Sequence, residues 1–138
     1  MKTENQFFRI LRYSLYVEGY GSGMSWISSS EAIVRVQVKG LHGVVHEVAC
    51  GNGSVNAIDN ALRKALVKYY PRIARVRLVG YKVRKINGGR GTESLVEVTV
   101  TSSDSKKKWV TRGISGNLID ASLFAVVEGL KKELRFLS

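Results

Sequence analysis

One cysteine, one proline, two histidines and half as many acids as bases mark what this 138-residue chain has little of. The lone Cys50 excludes an intrachain disulfide and fits a reducing compartment, so a cytoplasmic location is expected, with Cys50 as a small buried hydrophobe. No apolar run approaches the roughly 20 residues of a membrane helix. The opening MKTENQFFRI lacks the apolar core of a secretory signal. His42 and His46, if on one strand, stand about 13 Å apart at 3.3 Å per residue, too far to share a metal. No carboxylate cluster completes a site around them, so neither a metal site nor a catalytic residue is expected. With 44% hydrophobic and 24% charged residues, the chain is of foldable composition, far from the disordered class.

Against 11 acids stand 22 Lys and Arg, a formal net charge of +11. Such an excess favours polyanionic partners in general. Lys106, Lys107 and Lys108 read as a hairpin tip, and Arg72, Arg75 and Arg77 as residues approaching and entering a strand. Both are expected to be solvated faces. A basic nucleic-acid-binding module is the rival reading. Tyr13, Tyr16, Tyr20, Trp26 and Trp109 lie among basic residues but form no compact run on one strand, so nucleic-acid binding is not expected.

The strongest pattern is a repeat. A shift of 64 residues lays VNAIDNALRKAL (55–66) on IDASLFAVVEGL (119–130), and Ala32, Val34 and Val36 on Val96, Val98 and Val100. Each half reads as strands followed by a helix. In the first, FFRILRYSLYV (7–17) is a strand with mixed faces and EAIVRVQV (31–38) alternates cleanly. Gly40 and Gly43 flank a reversal into GVVHEVAC (43–50). GYGSGMSWISSS (19–30) reads as a flexible hairpin loop whose Trp26 docks on the body or on a neighbour. Val55, Ile58, Leu62, Ala65, Leu66 and Tyr69 then recur at helical spacing, Asp59 and Arg63 form an i,i+4 pair on another face, and Pro71 stops the helix.

In the second half, residues 74–86 and 94–102 alternate about a turn at NGGRG (87–91), residues 109–115 add a strand, and Asn117 caps a helix running to about Phe136. That helix is apolar over most of its circumference and needs cover on more than one side, which a partner subunit would supply. The fold class is α+β: two βββα units (about 7–71 and 72–138) in a single domain, with two principal helices, closed by dimerisation.

The segment CGNGSVNA (50–57) joins the third strand to the first helix. Gly51 and Gly53 permit positive φ and close backbone approach. The first amides of the helix lack intrahelical acceptors and form a small anion site suited to a carboxylate. An ordinary turn capped by Asn52 or Ser54 fits the residues equally well. The glycines are neither a Walker loop nor a dinucleotide fingerprint.

GNGSVNAIDNALRKAL resembles the GNGPVxA signature of the regulatory domain of 2-isopropylmalate synthases. LVGYKVRKINGGRGTESLVEVTV, WVTRGISGNLIDAS, FFRILRYSLYVE and SSSEAIVRVQV are similar to the citramalate synthase branch. The resemblance covers roughly residues 7–135. It implies two βββα units per subunit, a homodimer, and a feedback amino acid, leucine or isoleucine, held near the dimer interface. By position it implies that Gly51, Gly53, Val55, Asn56 and Ala57 meet the effector's charged end. Leu78, Tyr81 and Lys85 would line its side-chain pocket, and Leu95 would close it. Val79, Tyr81, Val83 and Lys85 share one face by alternation. Ser54 stands where the family usually has Pro, and Lys85 where it usually has an aliphatic residue. That lysine keeps open an alternative, a structural dimerisation module with a disabled pocket. The implied parent is an acyl-CoA transferase using acetyl-CoA and a divalent metal in a catalytic barrel of some 300 residues, which this chain does not hold; the chain itself is expected to need no cofactor.

Overall fold

A computed structural model of the chain describes residues 7–87 and 94–136. The order is β1 (Phe8–Ser22), β2 (Ser25–Val38), β3 (Val45–Gly51), α1 (Ser54–Leu66), a 3-10 turn (Pro71–Arg75), β4 (Arg77–Asn87), β5 (Ser94–Ser103), β6 (Lys108–Ser115) and α2 (Leu118–Arg135). The fold is the expected α+β arrangement: two antiparallel three-stranded sheets, β1-β2-β3 and β4-β5-β6, each followed by a helix. The chain divides into two compact units between Pro71 and Arg72.

In the first unit, alternation along β2 drives Ala32, Val34, Val36 and Val38 into the core beneath α1. Burial of each such valine stabilises the unit by about 1.5–3 kcal/mol. In the second, Val98 and Val100 of β5 play the same part under α2. The 64-residue correspondence extends to helix packing. Ala57, Ala61 and Ala65 of α1 correspond to Ala121, Ala125 and Gly129 of α2, and all six are buried. These small residues let each helix lie close on its sheet. A Cβ at Gly113 of β6 would run into the Ala121 carbonyl and stand 2.8 Å from the Ala125 amide nitrogen. Trp109 Nε1 donates to the Gly129 carbonyl at 2.9 Å, and Thr111 Oγ1 to the Ala125 carbonyl at 2.7 Å. These side chains tie α2 to β6. On the helix-facing side of β4, Tyr81, Val83 and Lys85 remain exposed, because α2 packs over β5 and β6.

The structure corrects five expectations. Residues 19–30 are no flexible loop: strands β1 and β2 continue through them to a two-residue turn at Gly23 and Met24. Gly23 takes φ +58 there, the conformation a tight hairpin turn demands of glycine. Trp26 lies across its own ribbon, and a Cβ at Gly19 would stand 2.9 Å from the indole. Cys50 is exposed, because pairing with Glu31 sets it on the face of the sheet opposite α1. The first helix ends at Leu66, ahead of Pro71, which instead opens the 3-10 turn. Arg72 is not solvated: its Nη2 lies 3.1 Å from Oε2 of the buried Glu133. The alternation that would set Val79 beside Tyr81 is interrupted: a bulge between Leu78 and Gly80 leaves Val79 the unpaired extra residue and brings Leu78, opposite Ser102, onto the Tyr81 face.

Other expectations stand. Asn117 caps α2, and the Asp59–Arg63 pair forms at 2.9 Å, though Asp59 is buried and its burial raises the carboxyl's pKa above the ordinary value. The lysine tip is partly anchored, since Lys107 Nζ lies 3.0 Å from Asp104 and 4.4 Å from the Phe136 ring centre. Apart from Asn87, the NGGRG turn lies outside the described residues.

Candidate ligand site at the first helix

The strand-to-helix joint is held by its own backbone and two asparagines. A Cβ on Gly51 would collide with the Ala57 amide and stand 2.7 Å from both Ala57 Cα and Asn56 Oδ1. Glycine at this position is required by close approach. Neither Gly51 nor Gly53 has positive φ, so that part of the expectation fails. Gly53 is extended, at φ −171, and a Cβ there would meet open space. Asn56 Oδ1 accepts from the Asn52 amide at 3.1 Å, and Asn60 Nδ2 donates to the Cys50 carbonyl at 3.0 Å. Both bonds fold the loop back over the helix start.

Neither predicted cap is made. Gly53 is the N-cap of α1, no side chain caps the helix, and its first turn holds no acid. At the corresponding place in the second unit, Asn117 Oδ1 accepts from the amides of Ile119 and Asp120 at 2.8 and 3.0 Å. Asp120 adds an acid to that first turn. Fold and local sequence are repeated, yet one helix start is closed and the other open. The open one presents its first amides and the positive end of the helix dipole, which suit a carboxylate.

The nine expected site residues fall into two groups, one in each unit. Gly51, Gly53, Val55, Asn56 and Ala57 come together at the loop and first turn of α1. Ala57 is buried, Val55 half-buried and Asn56 exposed. Since Asn56 Oδ1 is engaged by Asn52, this side chain shapes the loop. Leu78, Tyr81 and Lys85 share the helix-facing side of β4. The Tyr81 hydroxyl is 2.8 Å from Ser122 Oγ, which donates to the Leu118 carbonyl. Leu95 pairs with Ile86 and projects from the opposite face, so the sheet does not bring it to Tyr81 and Lys85. Sequence reasoning missed Asn52 and Asn60 as the loop's fasteners; Asn60 sits four residues after Asn56, one helical turn on, which was the available signal.

Among the described residues, no group of three or more His, Cys, Asp and Glu is placed to hold a metal ion. No helix among them is long and apolar enough to cross a membrane.

Two tandem βββα units with unequal helix starts define a duplicated α+β domain. Residues 2–134 match the LeuA allosteric (dimerisation) domain, and the chain belongs to that family. It is similar to the (R)-citramalate synthase of Synechocystis sp., 50% identical over 107 residues, covering 78% of this chain and 19% of that protein. The (R)-citramalate synthase of Geobacter sulfurreducens is 40% identical over 132 residues, 96% of this chain and 24% of that protein. A 2-isopropylmalate synthase of Bacillus pumilus is 31% identical over 107 residues, 78% of this chain and 19% of that protein. The chain thus spans about a fifth to a quarter of the relatives' length.

Proposed function

We propose that the chain is the feedback module of a citramalate or 2-isopropylmalate synthase and binds a branched-chain amino acid, leucine or isoleucine, within a homodimer. The observation that carries this reading is the open start of α1 beside the self-capped start of α2. An amino acid's carboxylate supplies the acceptor that Gly53 lacks and gains charge-assisted hydrogen bonds. Family membership supports the regulatory and dimeric parts, and exposed Leu118 and Phe124 on α2 give a partner subunit apolar surface to cover. The condensation of acetyl-CoA with a 2-oxo acid, and the metal it needs, belong in this reading to a separate catalytic barrel. The chain alone then releases no thiol from acetyl-CoA in the presence of pyruvate and a divalent metal.

Calorimetric titration with leucine and with isoleucine tests the proposal. Saturable heat from either is the expected result, and a mass by light scattering of twice 15.3 kDa goes with it. No heat from either effector together with a dimeric mass would favour the second reading, a dimerisation module whose pocket Lys85 disables.

A further inference from the structure

The β1-β2-β3 sheet turns one face to α1 and the other to solvent. Across the solvent face runs a row with no acid in it: Arg12 pairs with Arg35, and Arg35 with His46. Directly opposed side chains have Cβ atoms about 5 Å apart, where like charges repel. Among the described residues no carboxylate pairs with either arginine. Glu47 lies on the α1 side, opposite Val34. Glu31, the next acid along this face of β2, is four residues away, about 13 Å.

The second unit shows how the repeat otherwise handles such charges. There Glu97 sits between two arginines, 2.8 Å from Arg84 and 3.8 Å from Arg112. The 64-residue shift puts Ile33 where Glu97 stands. The neutralising acid is thus missing from the one sheet that carries two arginines and a histidine in a single row.

The row floors a groove of about 450 Å³ lined by Leu11, Arg12, Arg35, Val44 and His46. Leu11 is the extra residue of a bulge between Ile10 and Arg12, which brings it to the groove's edge. Gln37 Nε2 donates to the Leu41 and Gly43 carbonyls and so pins the loop leading to Val44, the other apolar flank. Ser14 adds a hydroxyl beside Ile33.

We propose that this groove binds an oxyanion carried on an apolar body, with Arg12, Arg35 and His46 on the charged group and Leu11 and Val44 on the body. The site is separate from the start of α1 and does not depend on the amino-acid reading. Arginine forks match phosphate or carboxylate oxygens bidentately, and an anion between them removes the cross-strand repulsion. Inorganic phosphate and phenyl phosphate are the probes, titrated into isotope-labelled protein at constant ionic strength against chloride. Shifts should concentrate on residues 11–14, 33–35 and 44–46, with phenyl phosphate the tighter ligand.

Ile33→Glu restores the acid of the second sheet. It should weaken phosphate binding at least about tenfold, the loss of one charge-assisted contact, while raising the thermal stability of the free protein. Because that variant is expected to gain stability, lost binding cannot be ascribed to unfolding. Glu97→Gln should leave phosphate binding at this groove unchanged. A phosphate response no larger than that to chloride, or unchanged affinity in Ile33→Glu, overturns the site.

Discussion

Gly53 and Asn117 hold the same position in the two repeats, 64 residues apart, and only Asn117 closes the helix that follows it. The difference can be moved. Gly53 is extended with open space at its Cβ, so asparagine fits without strain. Gly53→Asn should gain a few tenths of a kcal/mol from the new cap. If leucine or isoleucine binds at the start of α1 as proposed, the variant should also abolish the effector's upshift in Tm, because the cap takes the amides that a carboxylate would use. On that reading a saturating effector, at about 100 times its Kd, should add roughly 2.7 kcal/mol to the parent protein. Differential scanning calorimetry with and without effector reads both effects, and an undiminished upshift in Gly53→Asn would place the effector elsewhere.

Gly51 is the opposite case, a glycine demanded by contact. In Gly51→Ala the new methyl meets the backbone of Ala57, which cannot rotate away. Loss of about 1–3 kcal/mol is expected, a Tm drop of about 3–10 °C by calorimetry. A drop under a degree would mean that the loop is not seated on the helix as described.

Much of this fold was legible because alternation and helical spacing are local signals of which side is buried. Val34 and Val98, Ala61 and Ala125 announce the core in both halves. What misled was also local. Gly19, Gly21, Gly23 and the serines of β2 look like a loop by composition. Whether they pair is decided across the ribbon, where Trp26 fills the space over Gly19. A bulge breaks alternation without altering composition, so Leu78 came to the Tyr81 face. Cys50 has the residue type of a core position and the register of an exposed one. At the candidate site the GNG spacing marked the place, while the absence of a cap at Gly53 was a matter of geometry that neighbouring Asn52 and Ser54 concealed.

Lys85 tests the side-chain pocket that the proposed function implies. It is exposed on the Tyr81 face of β4, opposite Val96. Burying its ammonium against an aliphatic effector without a partner would be costly. If the lysine meets the effector, Lys85→Ile should tighten leucine or isoleucine binding by about tenfold, near 1.4 kcal/mol. Titration of the variant beside the parent decides the matter. Unchanged Kd values would mean that the ammonium already reaches water and Lys85 does not face the ligand.

The last prediction concerns pH and the turn between β5 and β6. Asp104 Oδ1 accepts the Lys106 and Lys107 amides, each at 3.0 Å, and Oδ2 lies 3.0 Å from Lys107 Nζ. The Lys107 side chain, more than any other group, holds the Asp104 carboxyl well below its ordinary 3.8. A carboxylate with a lowered folded pKa adds stability above its unfolded pKa and loses it as pH falls through the folded value. Asp104→Asn should therefore be less stable than the parent at pH 7, with the gap constant down to about pH 5 and closing at lower pH. Glu133 should show the reverse slope. Burial first, and then the hydrogen bond with Asp104, raises its carboxyl above the ordinary 4.5. The folded state thus holds that proton more tightly than the unfolded chain, and this contribution, full below 4.5, is lost as pH rises through the raised value. Relative to the parent, Glu133→Gln should gain in Tm as pH rises from 4.5, whatever constant offset follows from altering the Arg72 pair. Thermal melts of the three proteins between pH 3 and 8 separate the two groups by the sign of slope alone. Parallel melting curves for Asp104→Asn and the parent across that range would show that the turn draws no stability from ionised Asp104.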